Sequence, residues 1–95
     1  MATIMSAVRV ELSEDVAFRE LSGQAVLLNL ASGIYFGLND VGTRLWELLS
    51  QNDSLESAEK ALQQEFEVPA DVLRSDIEQL LQQMQSKGLL QVIRS

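Results

Sequence analysis

The front of the chain alternates between apolar and polar positions. Residues 8–12, with the sequence VRVEL, place three apolar side chains on one face and two charged side chains on the other. A period of two is typical of a strand with one buried face. A less regular pattern predicts a second strand over residues 16–21, and Ser22 with Gly23 predicts the turn that follows.

Two apolar runs come next, joined by Ala31, Ser32 and Gly33. Residues 24–30 are largely apolar on both faces, which predicts a strand inside a sheet and not at its rim. Residues 34–38 are rich in side chains that favour strands. Two such runs separated by three residues that end in glycine predict a hairpin, with Gly33 in the left-handed conformation.

From Asn39 onward the spacing of apolar residues becomes helical. Asn39 or Asp40 is expected to cap a first helix, whose buried stripe comprises Val41, Leu45, Leu48 and Leu49. Residues 51–53 interrupt that pattern. Asp53 followed by Glu56 resembles a capping box and predicts a second helix with a buried face of Leu55, Ala58, Leu62 and Phe66.

A third helix is predicted over residues 70–87. Pro69 suits its first turn, because the missing N–H of proline would be unpaired there in any case. Lys87 and Gly88 predict its end, and residues 89–93 predict a short final strand. The predicted buried stripe of this helix comprises Leu73, Ile77, Leu80, Leu81 and Met84.

Strands followed by helices predict an α+β fold in a single domain covering residues 1–95. The apolar share of 46% suffices for one core. Three helices followed by a strand also resemble a winged helix-turn-helix. The N-terminal residues lack the pattern of a secretory signal, and the uncharged stretch over residues 21–39 is better explained by the hairpin than by a membrane helix. We therefore expect a cytoplasmic protein with no membrane contact.

Composition argues against catalysis. The chain contains no Cys and no His, which excludes disulfides, thiolate nucleophiles, Cys/His zinc sites and imidazole acid–base chemistry. The carboxylate pairs Asp71 with Asp76 and Glu56 with Glu59 are interpreted as solvated surface charge. No phosphate-binding glycine loop and no carboxylate cluster suited to a metal is present in the sequence. We expect no enzyme activity and no cofactor.

Nucleic-acid binding is an alternative that the predicted winged helix raises. Seven Lys and Arg residues stand against fourteen Asp and Glu, which gives a formal net charge of −7. The third helix carries Arg74 and Lys87 against Asp71, Asp76 and Glu78. Such a helix would lack most of the favourable counterion release that drives binding to DNA. The alternative is an acidic winged-helix regulator that binds DNA or a protein partner, but we expect no nucleic acid.

Peptide capture is the interpretation that the strands favour. If they form a meander in chain order, residues 34–38 lie at an open edge, and no charge or proline guards residues 31–39. An extended peptide could add there as another strand. At least two of Ile34, Phe36 and Leu38 are expected in the core, with Tyr35 and Gly37 facing the opposite way. The same edge could instead pair with a second copy in a homodimer.

The ordered residues of the hairpin and helices resemble the PqqD-like family. The resemblance is carried by Ser32-Gly33-Ile34-Tyr35-Phe36-Gly37-Leu38-Asn39, and it continues through Gly42, Leu45, Trp46, Leu48, Leu49, Leu62, Phe66-Glu67-Val68, Asp76, Leu80-Leu81 and Lys87-Gly88-Leu89-Leu90. Members of this family recognise the leaders of ribosomally synthesised, post-translationally modified peptides. This chain is more similar to the stand-alone recognition proteins of lasso-peptide clusters than to those of pyrroloquinoline quinone synthesis.

The resemblance implies a three-stranded antiparallel sheet packed on a three-helix bundle that is winged-helix-like. It also implies that the leader of a precursor peptide binds as an extra strand. The groove for it would lie between the last strand of that sheet, residues 34–38, and the third helix. A non-catalytic peptide chaperone of this kind presents the leader to a separate modifying enzyme or leader peptidase. The peptide-binding residues implied in this chain are Ile34, Tyr35, Phe36, Gly37, Leu38, Leu73, Arg74, Ile77 and Leu81.

Overall fold

The computed structural model describes residues 8–22, 24–51 and 54–94. Five strands and three helices lie within these ranges. Their order along the chain is β1 (Val8–Leu12), β2 (Val16–Leu21), β3 (Gln24–Asn29), β4 (Tyr35–Leu38), α1 (Asp40–Ser50), α2 (Leu55–Phe66), α3 (Ala70–Ser86) and β5 (Leu90–Arg94). The fold is α+β, with three helices and a three-stranded antiparallel sheet, as predicted.

The three-stranded sheet is a meander in the order β2-β3-β4. Phe18 lies opposite Leu27 in one pair of strands, and Leu27 lies opposite Phe36 in the other. The central strand is β3, as its two apolar faces predicted. It ends at Asn29, one residue earlier than predicted, and β4 begins at Tyr35, one residue later.

The first strand, β1, does not join this meander. It pairs antiparallel with β5 in a separate two-stranded sheet, where Val10 lies opposite Val92 and Leu12 opposite Leu90. The expectation that the strands follow chain order therefore holds for β2, β3 and β4 but is wrong for β1. The predicted final strand is β5, and it forms this second sheet by pairing with β1, the first element of the described chain.

The helix termini follow the expected capping chemistry, with one correction at the start of α2. Asn39, and not Asp40, caps α1: its Oδ1 accepts a hydrogen bond from the Gly42 N–H at 2.7 Å. Ser54 caps α2 by accepting from the Ser57 N–H at 3.0 Å. The predicted cap Asp53 is therefore wrong by one residue, and it lies outside the described residues.

The third helix begins immediately after Pro69, which takes the N-cap position instead of the predicted first turn. It ends at Ser86, followed by Lys87 and by Gly88 with a φ of 72°. Only glycine adopts that backbone conformation without strain, so the predicted helix stop is confirmed. Gly33 in the hairpin has a φ of 76° and confirms the second left-handed prediction.

One hydrophobic core lies between the helices and the sheets. Side chains from β3, all three helices and the Leu89–Leu90 segment meet in it. The largest fully buried side chains are Leu27, Leu45, Leu62, Leu73, Ile77, Met84 and Leu89. None of the helices in the part of the chain that the structure describes is long and apolar enough to cross a membrane.

Candidate functional site

The outer edge of β4 is the free edge of the meander, because β4 pairs with β3 alone among the described strands. The direction of its main-chain groups follows from one hydrogen bond: the Asn29 N–H donates to the Ile34 carbonyl at 2.9 Å. Main-chain groups alternate in direction along an antiparallel strand. Those of Phe36 and Leu38 therefore point towards β3, and the N–H and C=O groups of Tyr35 and Gly37 point outward.

The side chains of this strand divide between two faces. Leu38 is 5% exposed, and Phe36 is half-buried and packs against the core. Ile34 is 42% exposed and Tyr35 is 62% exposed. The expectation that at least two of Ile34, Phe36 and Leu38 belong to the core is confirmed for Phe36 and Leu38, and Tyr35 and Gly37 face away from it. The outward face is therefore accessible beside the free edge.

Two contacts relate the second half of the third helix to the β3–β4 hairpin. A Cβ placed on Gly42 would lie 3.2 Å from Leu38 Cδ2 and 3.4 Å from Leu80 Cδ2, so both side chains meet over this glycine. In the second contact, the Asn29 side-chain amide donates to the Lys87 carbonyl at 3.0 Å. The second half of α3 and the residue that follows it are therefore in contact with the hairpin at two points.

The two flanks of α3 have different neighbours. Arg74 Nε donates to Glu59 Oε2 on α2 at 2.9 Å, and Gln85 Oε1 accepts from the Val92 N–H on β5 at 2.6 Å. Leu80, which approaches β4, lies towards the opposite flank. The exposed side chains on that flank follow from the helical repeat and are Val72, Asp76, Gln79 and Gln83.

These side chains, one apolar, one acidic and two with amide groups, define the third-helix flank, which lies on the Leu80 side of α3. Sequence reasoning missed it as part of the site. The periodicity located the buried stripe of α3 correctly, but it does not show which neighbouring element lies on each side of that stripe. Contacts with Glu59, Gly42 and Val92 decide which flank faces which element.

The four residues of α3 that the resemblance implied lie on its buried face or on its α2 side. Leu73 and Ile77 are fully buried, and Leu81 is buried in the same core cluster. Arg74 is occupied by its ion pair with Glu59, and that hydrogen bond raises the pKa of Arg74 above its usual value. Their part in peptide binding stays a prediction.

Glu59 corrects a detail of the sequence interpretation. It was expected to be solvated surface charge, but it is 8% exposed and lies at the contact between α2 and α3. Burial of a carboxylate is unfavourable unless it is paired, and Arg74 supplies the pairing. The ion pair also neutralises the charge of Arg74, and the structure gives no support to the DNA-binding alternative.

The residue types of the site suit binding. Two outward N–H groups and two outward C=O groups stand beside an exposed aromatic ring on β4 and a polar flank on α3. Among the described residues, no group of His, Cys, Asp and Glu is arranged to hold a metal ion. The edge of β4 can pair with an extended chain through main-chain hydrogen bonds. Side chains of β4 and α3 can contact the side chains of that extended chain from two directions.

Comparison with known proteins points to the same kind of molecule. No curated protein sequence matches the chain. Two solved structures match with a TM-score of 0.76 each. One, described as "TbiB1 in Complex with the TbiA(beta) Leader Peptide", is 32% identical over 85% of this chain and 94% of the other. The second, described as "Lasso peptide synthetase B1 complexed with the leader peptide", is 24% identical over 87% of this chain and 98% of the other, and shows the fold.

The family comparison is more direct. The profile of the family described as "Coenzyme PQQ synthesis protein D (PqqD)" matches residues 24–90. This match begins with β3 and ends with the first residue of β5, so it contains β4, all three helices and both contacts between the β3–β4 hairpin and α3. The chain therefore belongs to the PqqD family.

Proposed function

We propose that this protein recognises the leader of a ribosomally synthesised precursor peptide by adding it as a strand to the free edge of β4. The observation that carries the proposal is the outward direction of the Tyr35 and Gly37 main-chain groups along an edge without charge. The 32% identical protein TbiB1 was solved with a leader peptide bound. Both features support a binding role for this chain.

The energetics call for side-chain contacts as well as main-chain pairing. Tyr35 and Gly37 offer four main-chain groups, and a net contribution of about 1 kcal/mol each gives about 4 kcal/mol. A dissociation constant between nanomolar and low micromolar corresponds to roughly 8–12 kcal/mol. We therefore propose apolar leader side chains on both faces of the added strand. One set would lie next to Phe36 and reach towards α3, and the other would lie next to Tyr35.

The implied peptide-contacting residues keep different places in this proposal. Ile34, Tyr35, Phe36, Gly37 and Leu38 contribute the edge itself, and the third-helix flank supplies the opposite wall. Leu73, Ile77 and Leu81 support that wall from the core, where their side chains are already covered by the chain. Arg74 would reach a peptide only after leaving Glu59, so we propose that it acts through the position of α3.

The role proposed is delivery without catalysis. A separate modifying enzyme or leader peptidase would act on the precursor while its leader is held at β4. Because the precursor is a product of the ribosome, we place this step in the cytoplasm. The homodimer alternative uses the same edge. Sedimentation of the full chain at several concentrations, with and without leader peptide, tests it, since peptide and partner copy would compete for β4.

Amide-shift mapping tests the proposed function directly. The ¹⁵N-labelled full chain is titrated with the TbiA(beta) leader peptide and with leaders of short peptides encoded beside the chain's gene. We expect the largest shifts at Tyr35, Phe36 and Gly37, followed by Gln79 and Gln83. A scrambled peptide of the same composition is the control. Shifts confined to β2 or α2, or no saturable shifts with any leader, would contradict strand addition to β4.

A further inference from the structure

A buried amide joins the hairpin to the end of α3. Asn29 is 8% exposed at the last position of β3. Its Nδ2 donates to the Lys87 carbonyl at 3.0 Å and approaches the Gly88 carbonyl at 3.4 Å. Its Oδ1 accepts from the Ala31 N–H at 3.0 Å and from the Ser32 N–H at 3.2 Å. One side chain thus satisfies groups of two elements.

The main chain of the same residue leads directly to β4. The Asn29 N–H donates to the Ile34 carbonyl at 2.9 Å, and the Gly33 N–H donates to the Asn29 carbonyl at 2.7 Å. The position of Asn29 therefore fixes where the strand begins. We call the contact between the Asn29 amide and the carbonyls of Lys87 and Gly88 the hairpin clamp.

The hairpin clamp is one of the two contacts described above between the β3–β4 hairpin and the second half of α3, and it reaches β4 through the hydrogen bond from the Asn29 N–H to the Ile34 carbonyl. The other is the apolar contact of Leu38 and Leu80 around Gly42, at the opposite end of the strand. Apolar contacts tolerate small displacements, whereas a hydrogen bond fixes distance and direction. Without the amide donor, the Tyr35 end of β4 could shift relative to α3, and the Lys87 carbonyl would lose this partner.

We propose that Asn29 is a positioning residue for peptide binding, which sets the separation between the free edge of β4 and the third-helix flank. The inference rests on the proposed function. A peptide strand that binds between β4 and the third-helix flank binds more tightly when their spacing is already correct, because less conformational entropy is then lost on binding. The clamp supplies that spacing at the end of β4 where Tyr35 faces outward.

The substitution Asn29→Asp separates the two roles of the side chain. A carboxylate still accepts from Ala31 and Ser32, so the turn keeps its hydrogen bonds. It cannot donate to Lys87, and it repels the carbonyl oxygens there. We expect the dissociation constant for a leader peptide that the wild type binds to rise about ten-fold, mainly through faster dissociation. Titration and dissociation kinetics with a fluorescently labelled leader measure both.

The variant Ser54→Ala is the control for lost stability. It removes the N-cap of α2, a change that ordinarily destabilises a protein by an amount similar to the loss of a buried hydrogen bond. Urea unfolding measures the free energy of unfolding of both variants, so that their losses of stability can be compared. We expect Ser54→Ala to bind the leader like the wild type. Equal losses of affinity in the two variants, or wild-type affinity in folded Asn29→Asp, would overturn the clamp.

A measurement on the wild type keeps the inference testable if Asn29→Asp does not fold. The side-chain NH₂ of Asn29 gives its own pair of ¹H–¹⁵N resonances. Leader binding is expected to shift them and to slow their exchange with water, since the bound strand holds the clamp closed. Unchanged shifts and exchange under saturating leader would refute it. A wild-type chain that binds no leader overturns the proposed function itself, and the positioning role with it.

Discussion

Removal of a single outward N–H from β4 is the sharpest test of strand addition. Tyr35→Pro deletes a main-chain donor that faces the free edge and leaves the pairing of Phe36 and Leu38 with β3 in place. Proline is tolerated at sheet edges where its missing N–H faces solvent. The extended conformation that proline favours in the preceding residue also suits Ile34, whose carbonyl already accepts from Asn29. We therefore expect a folded protein.

The expected loss of affinity follows from the hydrogen bond removed. A main-chain hydrogen bond contributes about 1 kcal/mol net, and a partner carbonyl left unsatisfied costs about 1–3 kcal/mol. The proline ring also occupies the space of the incoming strand. The two hydrogen-bond terms amount to about 2–4 kcal/mol and predict that the leader binds roughly 30- to 700-fold more weakly, since each 1.4 kcal/mol corresponds to about ten-fold. Isothermal titration calorimetry of the full chain measures this range.

Two matched variants separate the main chain from the side chain. Tyr35→Val removes the aromatic ring and keeps the N–H, so its loss is expected to be smaller than that of Tyr35→Pro. Glu20→Pro removes an outward N–H from β2, the opposite edge of the same sheet. It is expected to leave leader affinity unchanged.

The outcomes discriminate clearly. If Tyr35→Pro is folded by circular dichroism and binds the leader like the wild type, the peptide does not pair with β4. If Glu20→Pro loses as much affinity as Tyr35→Pro, the effect comes from the sheet as a whole and not from one edge. Either result would contradict the proposed pairing of the leader with the outward main-chain groups of β4.

Three further substitutions test the frame around the site. Gly88→Ala is expected to lower the free energy of unfolding by more than about 1 kcal/mol, because its φ is 72° and its Cβ would lie 2.9 Å from Asn29 Nδ2; chemical denaturation measures it, and an unchanged midpoint would contradict it. Ile77→Ala is expected to cost about 2–5 kcal/mol of stability, with leader affinity retained in the folded fraction. Arg74→Met should lower the melting temperature by leaving Glu59 without its partner, and Glu59→Gln in the same chain should restore part of it; no recovery would show that the pair is not coupled.

Local sequence patterns predicted most of the elements near the site. The hairpin follows from two apolar runs and Gly33, because glycine alone takes a φ of 76° without strain. The end of α3 follows from Gly88 for the same reason. Residues 34–38 carry no charge that would guard a strand edge, and this is a property of the sequence itself. These features depend on neighbours a few residues apart.

The side chains around the edge were harder to predict. Glu59 has the surroundings of a surface residue in the sequence, and only the approach of α3 buries it beside Arg74. The third-helix flank was missed because the buried stripe of α3 is symmetric about its centre. Asn29 lies in a run that the sequence shows as largely apolar, and the partner of its side-chain amide lies 58 residues away.

The sequence by itself determined the type of each element, the single core and an uncharged strand fit for peptide pairing, because periodicity and backbone preference act over short distances. Tertiary structure alone decided that β1 pairs with β5, that Arg74 of α3 pairs with Glu59 of α2, and that the Asn29 amide donates to the Lys87 carbonyl. An alternating strand pairs equally well with many partners, and a helix can turn either flank to a neighbour. Long-range packing selects one arrangement by burying the common core.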